Sequence, residues 1–230
     1  PFYPLNVIDG IMSVSAVQNV AKQYQASITE YLNAVLLYSL LQKQEHDFHL
    51  RLRPVRIAMP VNLRRFFPSN FITMVYPSID PRLGDYTFEE IVTQVHHYMR
   101  YYINSKFLRG DITTNASTQR NPLIRIVPLF LKDFVVRQFY QRVQDKNSSA
   151  GLTNMGAIRV PDDMKPYLER FDIYMGIPYS QRTNCAIVSF EDTLTVNFAS
   201  CIIEADVERR FFQKLVEDGI PVTIESNREL

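Results

Sequence analysis

Apolar residues recur along this chain at two periods. Val55, Ile57, Met59 and Val61 alternate with other residues, which is the period of a strand presenting one side to a core. Residues 184–190 and 194–201 alternate in the same way around Glu191-Asp192 and predict a β-hairpin. Residues 70–79, 151–160 and 171–176 are further predicted strands. Helical signals lie between them. Residues 13–24 read as a short amphipathic helix. Ser27-Ile28-Thr29-Glu30 is a capping box, serine at the N-cap and glutamate three residues on, and it opens a helix to about residue 44. The apolar run 31–41 within it is far short of a membrane span, so it predicts a buried core helix. Thr87-Phe88-Glu89-Glu90 is a second capping box and opens a helix over 88–103. Residues 121–143 read as helical with a break near Pro128, and 206–216 as the last helix, stopped by Asp218-Gly219 before residues 221–224 close the chain. The polar segments 110–120 and 145–150 read as loops. Helices interleaved with a mostly non-hairpin sheet predict an α/β class, a mixed β-sheet flanked by helices.

Composition changes little in that picture. The chain has 230 residues, enough to bury a real core, and a net charge of +1, which indicates neither a nucleic acid nor an acidic partner. Its two cysteines, Cys185 and Cys201, have no metal-ligand spacing. With the hairpin turn at Glu191-Asp192, Cys185 faces about Phe198 rather than Cys201, so free buried thiols in a cytoplasmic protein are expected. No signal peptide is visible, and the start at Pro1 without a methionine predicts a segment of a longer protein.

The candidate chemistry begins where the strand 55–61 ends. Pro60 limits ladder pairing, so the strand is near its end or on an edge. Asn62, Arg64 and Arg65 then leave the sheet at its rim, where functional groups concentrate. Other clusters read as structural. His46-Asp47-Phe48-His49 sets two histidines and one aspartate on a charged loop without a third convincing ligand, so no metal is expected. Arg51, Arg53 and Arg56 add positive charge that could meet the phosphates of a bound molecule, and a charged strand edge explains them equally well. The apolar segment 123–143, with Arg125, Lys132, Arg137 and Arg142 interspersed, packs by default on its own sheet, and membrane contact is not indicated.

Met59-Pro60-Val61-Asn62-Leu63-Arg64 resembles the V-P-V-N-x-R that follows such a strand in CoA-dependent acyltransferases of the chloramphenicol acetyltransferase-like superfamily. That group includes alcohol acetyltransferases, wax ester synthases, plant acyltransferases and condensation domains. Leu152-Thr153-Asn154-Met155-Gly156 is similar to the family's L-S-N-x-G, and the order of helices and strands follows its second lobe, closest to alcohol acetyltransferases. The segment 67–71 is shorter than in relatives. The resemblance implies that residues 1–230 are the C-terminal lobe of a two-lobed acyltransferase. It implies direct transfer of an acyl group from acyl-CoA, a co-substrate rather than a permanently bound cofactor, to an alcohol acceptor. The base in such enzymes is the histidine of an H-x-x-x-D motif on the first lobe. Here the fourth residues after the histidines are Leu50, Arg53, Arg100 and Tyr101, so none has that context, and the chain is expected to be inactive without the first lobe. The rival reading is a non-catalytic, condensation-like binding or assembly module such as a carrier-protein docking platform.

By the same resemblance, Arg64 is the inter-lobe partner of the motif aspartate, a task suited to its planar fork. Asn70, Thr153, Asn154 and Gly156 are the implied substrate- or cofactor-binding residues. Gly156 is the one that lets a thioester arm approach the backbone. The His96-His97 doublet falls inside a predicted helix and reads as structural.

Overall fold

The computed structural model describes residues 5–47, 52–63, 72–120, 148–177 and 183–227, with Pro128, Leu129 and Asp133 between them. Its elements are β1 (Asn6–Ser13), α1 (Val14–Gln23), α2 (Ile28–His46), β2 (Val55–Asn62), β3 (Ile72–Val75) and β4 (Ser78–Ile79), then α3 (Phe88–Tyr102) and α4 (Ser105–Arg120). β5 (Ala150–Ala157), β6 (Thr183–Phe190), β7 (Thr193–Ser200), α5 (Asp206–Glu217) and β8 (Thr223–Ser226) complete the series. The strands form one mixed eight-stranded sheet in the order β3-β2-β5-β6-β7-β1-β8, with β4 also on β2. β2, β5 and β6 are parallel neighbours, and the remaining pairings are antiparallel.

Alternation decides the faces. Ile8 and Met12 of β1, Val196 and Phe198 of β7, Cys185 and Ile187 of β6, Leu152 of β5 and Ile57 and Met59 of β2 all join one buried cluster with α1, α2, α3 and α5. Burying each such side chain is worth about 1.5–3 kcal/mol. α2 runs through the middle of this layer. Tyr31 through Leu37 are all buried, which is why the sequence there is apolar on every side. Gly10 exists for packing, because a Cβ there would lie 2.1 Å from Cε1 of Phe212 on α5. Tyr31 ties the layer together. Its hydroxyl donates to Asp218 at 2.7 Å, Lys214 donates to the same carboxylate at 2.6 Å, and the Lys214 ammonium lies 4.4 Å from the centre of the Phe88 ring. Burial, reinforced by Asp218, holds the Tyr31 hydroxyl well above the ordinary phenol range.

Both capping boxes form as read. The hairpin β6–β7 also forms, with Cys185 opposite Phe198. Cys185 is buried but Cys201, at the end of β7, is exposed, so only one thiol belongs to the interior. The predicted single strand over 70–79 is two short strands, interrupted at Tyr76-Pro77, both paired with β2. Residues 110–120 are helical rather than a loop. Asn104 accepts from the backbone N–H of Lys106 and Phe107, Leu108 is buried, and the Thr113 and Thr114 hydroxyls fold back onto carbonyls four residues earlier. Capping and one anchor thus outweigh a weak helical composition. Residues 171–177 form no strand. They cross the other face of the sheet, held by side chains: Thr195 donates to the Phe171 carbonyl, Asn197 accepts from Ile173 N–H, and Asn184 donates to the Gly176 carbonyl. Beneath them Asp9 accepts from Tyr174 and from the fully buried Asn197, both at 2.8 Å. The predicted helix over 121–143 lies largely outside the described residues, as do 145–147 of the predicted loop; Ser148 and Ser149 are irregular and Ala150 already belongs to β5.

Candidate functional site

The sheet reverses its direction of growth between β2 and β5. From β2 the chain goes to β3 on one side, and from β5 it goes to β6 on the other. In sheets with parallel strands, ligands bind outside the carboxyl ends of the strands at such a switch point. Here the two strands also part. β2 and β5 pair only through Ile57–Ala58 and Ala150–Gly151, and both strands continue beyond that, unpaired with one another. Pro60, which has no N–H to give, lies in this unpaired stretch, while its other neighbour, β3, pairs through to Asn62. Pro60 thus does not end β2. It coincides with the loss of the β5 partner.

β5 closes the other wall with a bulge. The register to β6 shifts between Asn154 and Ala157, and Gly156 takes a φ of +74°. That left-handed value explains the glycine. A Cβ at Gly156 would meet nothing within 4 Å, so open space lies in front of it. Asn154 holds the bulge from within. Its Oδ1 accepts from Gly156 N–H at 2.8 Å, and its Nδ2 donates to Thr29 Oγ1 of α2 at 2.8 Å. Four residues on, and hence on the same face of α2, Asn33 points Nδ2 at the Met59 sulfur of β2, 3.6 Å away. α2 therefore touches both walls. Thr153 lies in register with Ala186, on the opposite face of the sheet from Asn154. Met155 is exposed.

Of the residues singled out in the sequence, the structure thus brings Asn154 and Gly156 together, with Thr153 on the other side of the strand. Arg64, Arg65 and Asn70 lie outside the described residues, as do His49 and Arg51. Arg56 is at the amino end of β2, beside Ser78 and away from the opening, so it does not crown the crevice. His96 and His97 lie within α3. His97 is exposed, and His96 Nδ1 stands 3.4 Å from Glu30, the capping-box carboxylate of α2. Sequence reading passed over Thr29 and Asn33. The available signal was a capping box with a threonine inside it and an asparagine interrupting an apolar run.

Thr29, Asn33, Met59, Asn154 and Gly156 carry no titratable side chain. What these described residues offer is neutral hydrogen-bonding groups rather than a general base. Among the described residues no group of His, Cys, Asp and Glu could hold a metal, and no helix is long and apolar enough to cross a membrane. Open clefts elsewhere, such as that of about 890 Å³ along α3 lined by Glu90, His97 and Tyr101, do not include the crevice residues.

No family model matches the chain, and no curated protein matches it in sequence. Solved structures do. The wax ester synthase/diacylglycerol acyltransferase from Marinobacter aquaeolei VT8 is 11% identical with a TM-score of 0.53, over 94% of this chain and 49% of that one. The trichothecene 15-O-acetyltransferase from Fusarium sporotrichioides is 13% identical with a TM-score of 0.57, over 95% and 47%. The epimerization domain from the third module of tyrocidine synthetase B is 12% identical with a TM-score of 0.55, over 93% and 47%. The chain spans about half the length of each. It therefore has the chloramphenicol acetyltransferase-like, or condensation, fold.

Proposed function

We propose that the chain is the C-terminal lobe of an acyltransferase that moves an acyl group from acyl-CoA to an alcohol. The observation that carries this reading is a likeness over some 94% of the chain to one half of acyltransferase structures. In this reading the crevice between β2 and β5 receives the thioester arm. Gly156 and the open space before it let the arm lie against β5 and Asn154 keeps that wall in shape, with Asn70 and Thr153 as the remaining candidate binding residues. The hydroxyl proton of the acceptor is taken by the histidine of an H-x-x-x-D motif on a first lobe, whose aspartate Arg64 holds. The alcohol oxygen attacks the thioester carbonyl, and the thiolate of CoA leaves with the proton. No covalent enzyme intermediate is formed. Partners are the first lobe, acyl-CoA and the alcohol, and the two free thiols suit a cytoplasmic location.

The likeness to condensation and epimerization domains carries a second reading, a condensation-like binding or assembly module such as a carrier-protein docking platform. The two readings part at the full-length protein. Alcohol-dependent release of CoA by it supports the acyltransferase. Binding of an acylated carrier protein without release, in a protein lacking H-x-x-x-D upstream, supports the module.

A further inference from the structure

The core of α2 contains a polar group that the fold does not use. Asn33 is fully buried, and its Oδ1 has no hydrogen-bond partner. Its Nδ2 has only a thioether, the Met59 sulfur at 3.6 Å, which is a weak acceptor. A buried carbonyl without a donor is unfavourable, and an apolar side chain of the same shape serves a core better. Its neighbours Leu32, Ala34, Leu36 and Leu37, all completely buried, show what this helix otherwise selects.

Position gives the group a purpose. Thr29 and Asn33 stand one turn apart on α2 and reach the two strands that part at the switch point, Thr29 to Asn154 on β5 and Asn33 to Met59 on β2. Met59 is the first residue of β2 beyond its pairing with β5. Its unbranched side chain has three rotatable bonds and can change rotamer without moving the backbone. Such a change would present the asparagine carbonyl at the base of the crevice. A neutral carbonyl there selects a neutral N–H or O–H donor, and no described crevice residue offers the negative charge that a cation would need.

We propose that Asn33 is a ligand-binding residue whose Oδ1 accepts the N–H of a secondary amide in the arm of the bound thioester, with Met59 moving aside to admit it. This rests on the reading of the chain as a thioester-binding lobe. The test compares two probes of equal size by calorimetric titration of the whole chain. One is an S-acyl N-acetylcysteamine, which carries one amide N–H, and the other replaces that amide with an ester. Wild type is expected to bind the amide about five- to tenfold more tightly, the equivalent of one neutral hydrogen bond. Asn33→Leu is expected to bind both probes with the affinity wild type shows for the ester. Equal binding of the two probes by wild type, as when Oδ1 merely holds a buried water, overturns the assignment and leaves the thioester reading standing. So does an amide preference that survives in Asn33→Leu. If wild type binds neither probe, the thioester reading fails and the assignment with it. Should Asn33→Leu not fold, Asn33→Ala is read in the same way, and an amide preference that survives in it overturns the assignment.

Discussion

Replacing Asn154 with alanine removes both hydrogen bonds that fix the β5 wall, those to Thr29 Oγ1 and from Gly156 N–H, each 2.8 Å long. Each neutral bond contributes about 0.5–1.5 kcal/mol net, so Asn154→Ala is expected to cost about 1–3 kcal/mol. For a chain of this size that lowers the melting temperature by roughly 2–4 °C per kcal/mol. Thr29→Val keeps the volume and removes only the link to α2, at about 1 kcal/mol. Because the two residues share one bond, the double variant should be less destabilised than the sum of the singles, by about 0.5–1.5 kcal/mol. Urea unfolding of the four proteins measures this cycle. Thioester binding should fall in both single variants, since the bulge that faces the open space is held through Asn154. Additive losses, or an Asn154→Ala protein as stable as wild type, would refute the view that this asparagine braces the crevice.

Four further outcomes follow from the same structure. Gly10→Ala places a Cβ 2.1 Å from the Phe212 ring and should cost about 1–3 kcal/mol, with partial rescue by Phe212→Leu in a thermal melt; no loss would contradict the packing of α5 on β1. Tyr31→Phe removes a donor to the Asp218 carboxylate and should cost about 1.5–3 kcal/mol in denaturant unfolding, against almost nothing if the hydroxyl were dispensable. Burial pushes the Cys185 thiol up, so a thiol reagent at pH 8 should label exposed Cys201 alone in the native protein and both cysteines in denaturant; labelling of two native thiols would contradict the buried β6 position. Asp192 is held below the usual carboxylate range by the Ser13 hydroxyl and the Ser15 N–H, so its contribution to stability is present above the unfolded value of about 4 and lost as pH falls through the folded value; acid unfolding of Asp192→Asn should be less steep over that window, and an unchanged slope would exclude the link.

Much of the fold is legible in the sequence because its signals are local. The capping boxes at Ser27 and Thr87 are four-residue patterns, and the β6–β7 hairpin is set by alternation around Glu191-Asp192. β1 was not read because Asp9 and Gly10 interrupt its apolar pattern, and both serve distant partners, Asn197 and Phe212. Residues 171–177 alternate like a strand, yet side chains of β6 and β7 occupy their backbone groups. At the site, Asn154 and Gly156 stand out because they fall in one short motif. Thr29 and Asn33 become part of it only through a helix that crosses two strands far apart in sequence, which no local pattern encodes.

The central claim is that this chain shapes a thioester crevice while the base comes from outside it. The direct measurement is release of CoA from acyl-CoA across a range of alcohols, by the full-length protein and by the 230-residue chain. The account predicts alcohol-dependent release by the full-length protein and none above the uncatalysed rate by the chain alone. Robust turnover by the chain alone, abolished by His97→Ala, would contradict it.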